Sequence, residues 1–143
     1  MKLLLLGGPR FLGRAIVDAA LERGYELTFF NRRTTNPDLY PEVERIVGDR
    51  KDRLDELQDR EWDVVVDTCG YLPRDVRASA GALAASGFYC FVSSVSAYAD
   101  FSAPTDEDSP VAELHDLPDD EVTNESYGPL KALCEGGCPR PVR

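Results

Sequence analysis

The first thirteen residues constrain this chain most. Residues 2–6, Lys-Leu-Leu-Leu-Leu, form an apolar run of the kind expected for a strand buried on both faces. The turn Gly7-Gly8-Pro9 follows at once. Phe11, Leu12, Ala15, Ile16, Ala19 and Ala20 then recur at helical spacing. A buried strand, a glycine turn and an amphipathic helix in that order form the opening of a βαβ unit.

The rest of the chain repeats the alternation. Gly24 is placed to end the first helix, and residues 25–30 read as a second strand. Residues 42–47 suggest a weaker third strand, and 49–59 a short charged helix carrying Leu54 and Leu57. Residues 62–66, with three consecutive valines, predict a fourth strand. Pro73 suits the first position of a helix reaching Ser86, which Gly87 closes. Residues 88–92 read as a fifth strand. Residues 99–123, rich in Asp, Glu, Pro and Ser, predict a long exposed loop, and 126–135 a last helix. The expected fold class is α/β: a doubly wound parallel sheet of Rossmann type, strand order 3-2-1-4-5.

Composition narrows the partners. The 143 residues suit one domain, and 43% hydrophobic content permits a core. A net charge of −10 repels nucleic acid and anionic membrane. Cys69, Cys90, Cys134 and Cys138 lack zinc-ligand spacing, and His115 is the only histidine. The apolar run at the start is too short for a signal peptide or a membrane span. These features suggest a reducing, cytoplasmic setting.

The turn Gly7-Gly8-Pro9-Arg10-Phe11-Leu12-Gly13 has the context of a pyrophosphate site. Gly7 permits the sharp turn, Gly13 permits close helix–sheet packing, and free amides at the helix start hold phosphate. Arg10 stands where a central glycine often occurs and adds a cation near phosphate. A plain strand–helix turn is the alternative. At the end of strand two, where an acid commonly bonds the ribose 2′-hydroxyl of NAD, this chain has Asn31-Arg32-Arg33. Two guanidiniums suit a 2′-phosphate, so NADP(H) is favoured and NAD(H) is the alternative. Asp49, after strand three, is a candidate for the adenine amino group.

Tyr127 and Lys131 stand at i and i+4, on one face of a helix. A nearby ammonium favours the phenolate and lowers the ordinary tyrosine pKa of about 10, which suits general acid–base work. Ser93-Ser94-Val95-Ser96-Ala97-Tyr98 follows strand five, at the end of the sheet where such folds bind ligands.

Taken together, these motifs resemble the extended and atypical short-chain dehydrogenase/reductases, the NAD-dependent epimerase/dehydratase group. The resemblance rests on Gly7 to Gly13, on Asp63-Val64-Val65-Val66-Asp67-Thr68-Cys69-Gly70, on Ser93 to Tyr98 and on Tyr127 to Lys131. It implies Tyr127 as acid/base, Lys131 as its partner, and Ser94 as the orienting hydroxyl, with Ser96 the rival. It implies that Thr68, Cys69, Gly70 and Ser93 lie along the cofactor. Members of the group run to about twice this length, so the substrate-binding part is expected to be missing. Residues 1–135 read as the dinucleotide-binding domain and 136–143, with two glycines and two prolines, as an irregular tail resembling a truncated or frameshifted end. The resemblance implies an NAD(P)-dependent oxidoreductase or epimerase acting on a small molecule such as a sugar nucleotide. A non-catalytic NADP-binding module and an RNA-binding relative are the alternatives, the last opposed by the acidic charge. An exposed fifth strand would invite association between copies.

Overall fold

A computed structural model describes residues 1–115 and 120–138. The elements are β1 (Lys2–Leu6), α1 (Leu12–Glu22), β2 (Glu26–Asn31), β3 (Glu44–Val47), α2 (Asp55–Gln58), β4 (Val64–Asp67), α3 (Pro73–Ala82), β5 (Phe88–Phe91), a 3-10 turn (Val95–Ala97) and α4 (Tyr127–Glu135). All strand pairs are parallel, and the order is β3-β2-β1-β4-β5. This is the doubly wound Rossmann arrangement that the alternation of strands and helices predicts.

Side-chain alternation along the strands builds two cores. Leu3, Leu5, Leu27 and Phe29 point to one face and pack with Val17 and Ala20 of α1. Leu4, Leu6, Phe30 and Val65 point to the other and pack with Leu57, Trp62 and Leu83. β1 is buried on both sides for this reason, which is why it carries no alternation of polar and apolar residues.

The register aligns the carboxyl ends of the strands. Leu6 lies level with Phe30 of β2 and with Asp67 of β4. Asp67 lies level with Phe91, and Asn31 with Val47. The loops that leave these ends therefore share one edge of the sheet.

Two helices are shorter than the sequence predicts. The helix expected over 49–59 is reduced to Asp55–Gln58. The Asp49 carboxylate accepts the Lys51 amide at 3.1 Å, so the chain turns locally where a helix was expected. The helix expected to reach residue 86 ends at Ala82. The Ser86 amide and hydroxyl both bond the Leu83 carbonyl, at 3.0 and 2.7 Å, which closes a tight turn. The stretch expected as a loop over 99–123 has some order where it begins. Tyr98 bridges Val111, and the Ala112 amide donates to the Ala97 carbonyl at 2.7 Å. Residues 116–119 of that loop and 139–143 of the expected tail lie outside the described residues.

α4 starts through hydroxyl bonding. The Ser126 hydroxyl donates to the Glu121 carbonyl at 2.7 Å and accepts the Thr123 amide at 2.8 Å. Pro129 is the third helical residue, where no intrahelical donor is required. Gly128 lets α4 approach the 3-10 turn, because a Cβ there would collide with the Ser96 carbonyl oxygen. Gly128→Ala should therefore destabilise the chain by about 1–3 kcal/mol, measured by urea unfolding, because the obstacle is backbone.

Candidate functional site

The glycine turn is held by both neighbouring strands. The Gly7 amide donates to the Phe30 carbonyl at 3.0 Å, and the Asn31 amide group donates to the Gly7 carbonyl at 2.8 Å. Gly7 has φ of 121°, and a side chain there would collide with the Thr68 hydroxyl. Gly13 packs against the Gly8 carbonyl so closely that a Cβ would not fit. Within the turn, Arg10 N donates to Gly8 O at 2.8 Å and Gly13 N to Arg10 O at 2.9 Å. Among the described residues, the amides of Gly8, Phe11 and Leu12 have no protein acceptor. They lie at the start of α1, where unpaired donors and the helix dipole favour an anion.

Phe11 carries the strain of the turn. It precedes α1 with φ of 42° and ψ of −111°, and its side chain is 92% exposed. Such a conformation in a bulky residue marks backbone strain stored in this turn.

Asn31 occupies the position of the acid expected in NAD sites, and its side chain serves the backbone. Its oxygen accepts the Arg33 amide at 2.9 Å while its nitrogen holds Gly7. Arg33 takes a left-handed φ of 55°. Arg32 is 69% exposed and stands 3.9 Å from Asp49. The Asn36 amide group donates to the Pro9 carbonyl at 2.9 Å, which brings the segment after β2 against the turn.

Thr68, Cys69 and Gly70 follow β4 on the same edge. The Thr68 amide and hydroxyl both donate to the Leu6 carbonyl at 3.0 Å. Burial pushes the Cys69 thiol up to about 11, with Asp67 adding to the effect and Arg50 opposing it. Cys69 is thus a packing residue and a poor nucleophile.

The Tyr127–Lys131 helix reaches this edge through Lys131. The Lys131 side chain is buried, and its Nζ donates to Val92 O at 2.7 Å and Gly70 O at 3.0 Å. It lies 4.0 Å from the centre of the Phe91 ring. Burial pulls the Lys131 amine below its ordinary pKa, while the Asp67 charge works against that pull. Two of its three donors serve carbonyls, which leaves one free. Tyr127 is half-buried, with its ring 6.5 Å from that of Tyr71. Ser94 caps the 3-10 turn by accepting the Ser96 amide at 3.2 Å. Ser93 bonds Glu135 of α4. The structure thus brings the glycine turn, the turn after β4, the serines and the Tyr–Lys helix to one edge. Arg32, Arg33 and Asp49 lie after the ends of β2 and β3, toward one side of the sheet.

Sequence reasoning missed two features. Tyr71, half exposed, follows Gly70 and has its ring 5.9 Å from Lys131 Nζ. Arg50 and Asp67 form a buried ion pair at 2.8 Å. The signal for the pair was a lone carboxylate closing a valine run in a central strand, where an unpaired charge is rarely tolerated.

No protein-family model matches the chain, and no curated protein matches it. Solved structures do. The five-stranded parallel fold is similar to part of the fold of solved short-chain dehydrogenase/reductase proteins. A superfamily protein from Agrobacterium tumefaciens, solved with bound NAD, matches with TM-score 0.72 and 22% identity over 96% of this chain and 44% of its own. The UDP-N-acetylglucosamine 4-epimerase of Bacillus cereus matches with TM-score 0.67 and 21% identity over 95% of this chain and 51% of its own. A human epimerase family protein, solved with NADPH, matches with TM-score 0.67 and 20% identity over 100% of this chain and 50% of its own. This chain spans about half the length of those proteins. Among the described residues, no helix is long and apolar enough to cross a membrane.

Two outcomes follow from the site's geometry. Phe11→Gly should stabilise the chain by about 1 kcal/mol, read as a higher urea midpoint, because glycine relieves a positive φ. With its thiol at about 11 against an ordinary 9.0, Cys69 should be alkylated by iodoacetamide at pH 8 roughly 100-fold more slowly than in the unfolded chain, by mass spectrometry.

Proposed function

We propose that this chain is the dinucleotide-binding part of an NADP(H)-dependent oxidoreductase or epimerase acting on a sugar nucleotide. The observation that carries the reading is the convergence of two structures on one sheet edge. Unpartnered amides stand at Gly8, Phe11 and Leu12, and Lys131 is pinned nearby to Gly70 and Val92. The residues present fit a dinucleotide. The amides and exposed Arg10 would hold the pyrophosphate, and Arg32 and Arg33 would hold a 2′-phosphate. Asp49 would meet the adenine, with Thr68, Cys69 and Gly70 lining the path toward the nicotinamide.

When bound, the nicotinamide would exchange a hydride with the substrate carbon. Tyr127 would remove or return the proton on the substrate hydroxyl oxygen. Lys131 would use its remaining donor on the cofactor ribose or on Tyr127. The Ser94 hydroxyl, whose oxygen caps its own turn, would still donate its hydrogen to the substrate oxygen. The sugar-nucleotide class is drawn from neighbours such as the Bacillus cereus epimerase.

The first test is titration with NADPH and with NADH, followed by nicotinamide fluorescence and calorimetry. Tighter binding of NADPH supports the reading, and equal binding of both removes the 2′-phosphate assignment. Arg32→Ala and Arg33→Ala should each weaken NADPH by about tenfold, the worth of one charge-assisted bond, and leave NADH within about twofold.

A further inference from the structure

A buried polar network lies just beneath the proposed cofactor edge. Asp67, at the end of β4, is fully buried. One of its carboxylate oxygens lies 2.8 Å from Arg50 Nη2 and accepts the Cys69 amide at 3.1 Å. The other accepts the Tyr89 hydroxyl at 2.9 Å. Arg50 comes from the loop after β3, its side chain 10% exposed. Among the described residues, neither of its terminal nitrogens has a well-aligned hydrogen bond. The Arg50–Asp67 contact is therefore close but off-line, and mainly electrostatic. Burial is the largest influence on the Arg50 pKa and lowers it, and the Asp67 carboxylate with smaller contributions from its other neighbours together turn the net shift upward. Burial, then Asp67, pushes the Tyr89 phenol above its ordinary range, so it stays a donor.

A buried ion pair contributes little net stability, because desolvation offsets its attraction, and apolar replacements are often neutral or better. Something other than stability is needed to explain why this one stands here. Its position answers that. The Cys69 amide held by Asp67 lies one residue before Gly70, whose carbonyl accepts Lys131 Nζ. The backbone of Asp67 also accepts the Val92 amide at 2.9 Å, and the Val92 carbonyl is the other acceptor for Lys131. Both anchors of Lys131 are thus tied to Asp67. Gly70 itself is wedged between Val76 and Phe91, so the turn has little slack.

We propose that Arg50, Asp67 and Tyr89 are positioning residues that fix the turn Thr68–Gly70, and through it Lys131, at the nicotinamide end of the site. The consequence for ligand binding rests on the dinucleotide reading above. The network acts on the end of the site that holds the nicotinamide and its ribose, and leaves the phosphate-binding turn alone.

The experiment uses the double variant Arg50→Met with Asp67→Leu, which removes both charges together, and Tyr89→Phe, which removes one donor to Asp67. Two ligands are titrated: NADPH, and 2′-phospho-ADP, which lacks both the nicotinamide and its ribose. The expected result is a loss of about tenfold for NADPH, the worth of a misplaced charged donor, with the fragment held within about twofold. Melting temperature should be kept in the double variant. Hydrogen exchange at the Cys69 and Gly70 amides of the ligand-free chain should speed up in both variants. If the double variant fails to fold, Tyr89→Phe gives the same split with a smaller loss. Wild-type affinity for NADPH in the variants, or a parallel loss of both ligands, would overturn the proposal. Should the wild-type chain bind neither ligand, the cofactor reading fails, and the exchange rates alone decide whether the network holds the turn.

Discussion

The placement of β1 between β2 and β4 governs everything downstream. Leu6 stands level with Phe30 on one side and Asp67 on the other, so three strands end together. Parallel pairing admits this only with long crossover connections, a helix between β1 and β2 and a loop between β2 and β3, and α1 packs on one face of the sheet and α2 on the other. The Gly7 turn then has one place to go, between the Phe30 carbonyl and the Thr68 hydroxyl. A slip of one residue in β1 would send Leu3 and Leu5 to the wrong core and carry the glycine turn away from both neighbours.

Two kinds of charge serve this edge in opposite ways. Arg10, Arg32 and Arg33 are exposed and hydrated, available to an arriving anion. Arg50, Asp67 and Lys131 are buried, each held by the others or by backbone carbonyls. Exposed guanidiniums would supply binding strength that salt screens. Buried groups supply geometry, because moving any of them leaves a charge uncompensated in a medium that solvates it poorly. The chain thus keeps Arg10, Arg32 and Arg33 in water and holds Arg50, Asp67 and Lys131 out of it.

Much of the architecture was legible in the order of residues. The apolar runs of β1 and β4 and the spacing of α1 have no other reading, since burial on two faces demands continuous hydrophobicity. Legibility failed where local hydrogen bonding competed with helix. Asp49 turned the chain before α2 by taking the Lys51 amide, and Ser86 closed the turn after α3. Neither competition has a periodicity that reveals it. The glycine turn and the Tyr127–Lys131 pair stood out as motifs because their residues lie close in sequence. Arg50, Asp67 and Tyr89 stayed hidden because the contacting pairs lie 17 and 22 positions apart, and only a folded sheet brings them within 3 Å.

The sequence by itself determined the fold class and the sheet edge from which the glycine turn and the turn after β4 leave, because both follow from local patterns: strand runs, helix faces and a glycine turn. Tertiary structure alone decided how Lys131 is held, which carboxylate anchors the turn after β4, and that Asn31 serves the backbone of Gly7. Those outcomes depend on which atoms become neighbours when β2, β4 and β5 align, and on the loss of water that makes each buried donor seek a partner.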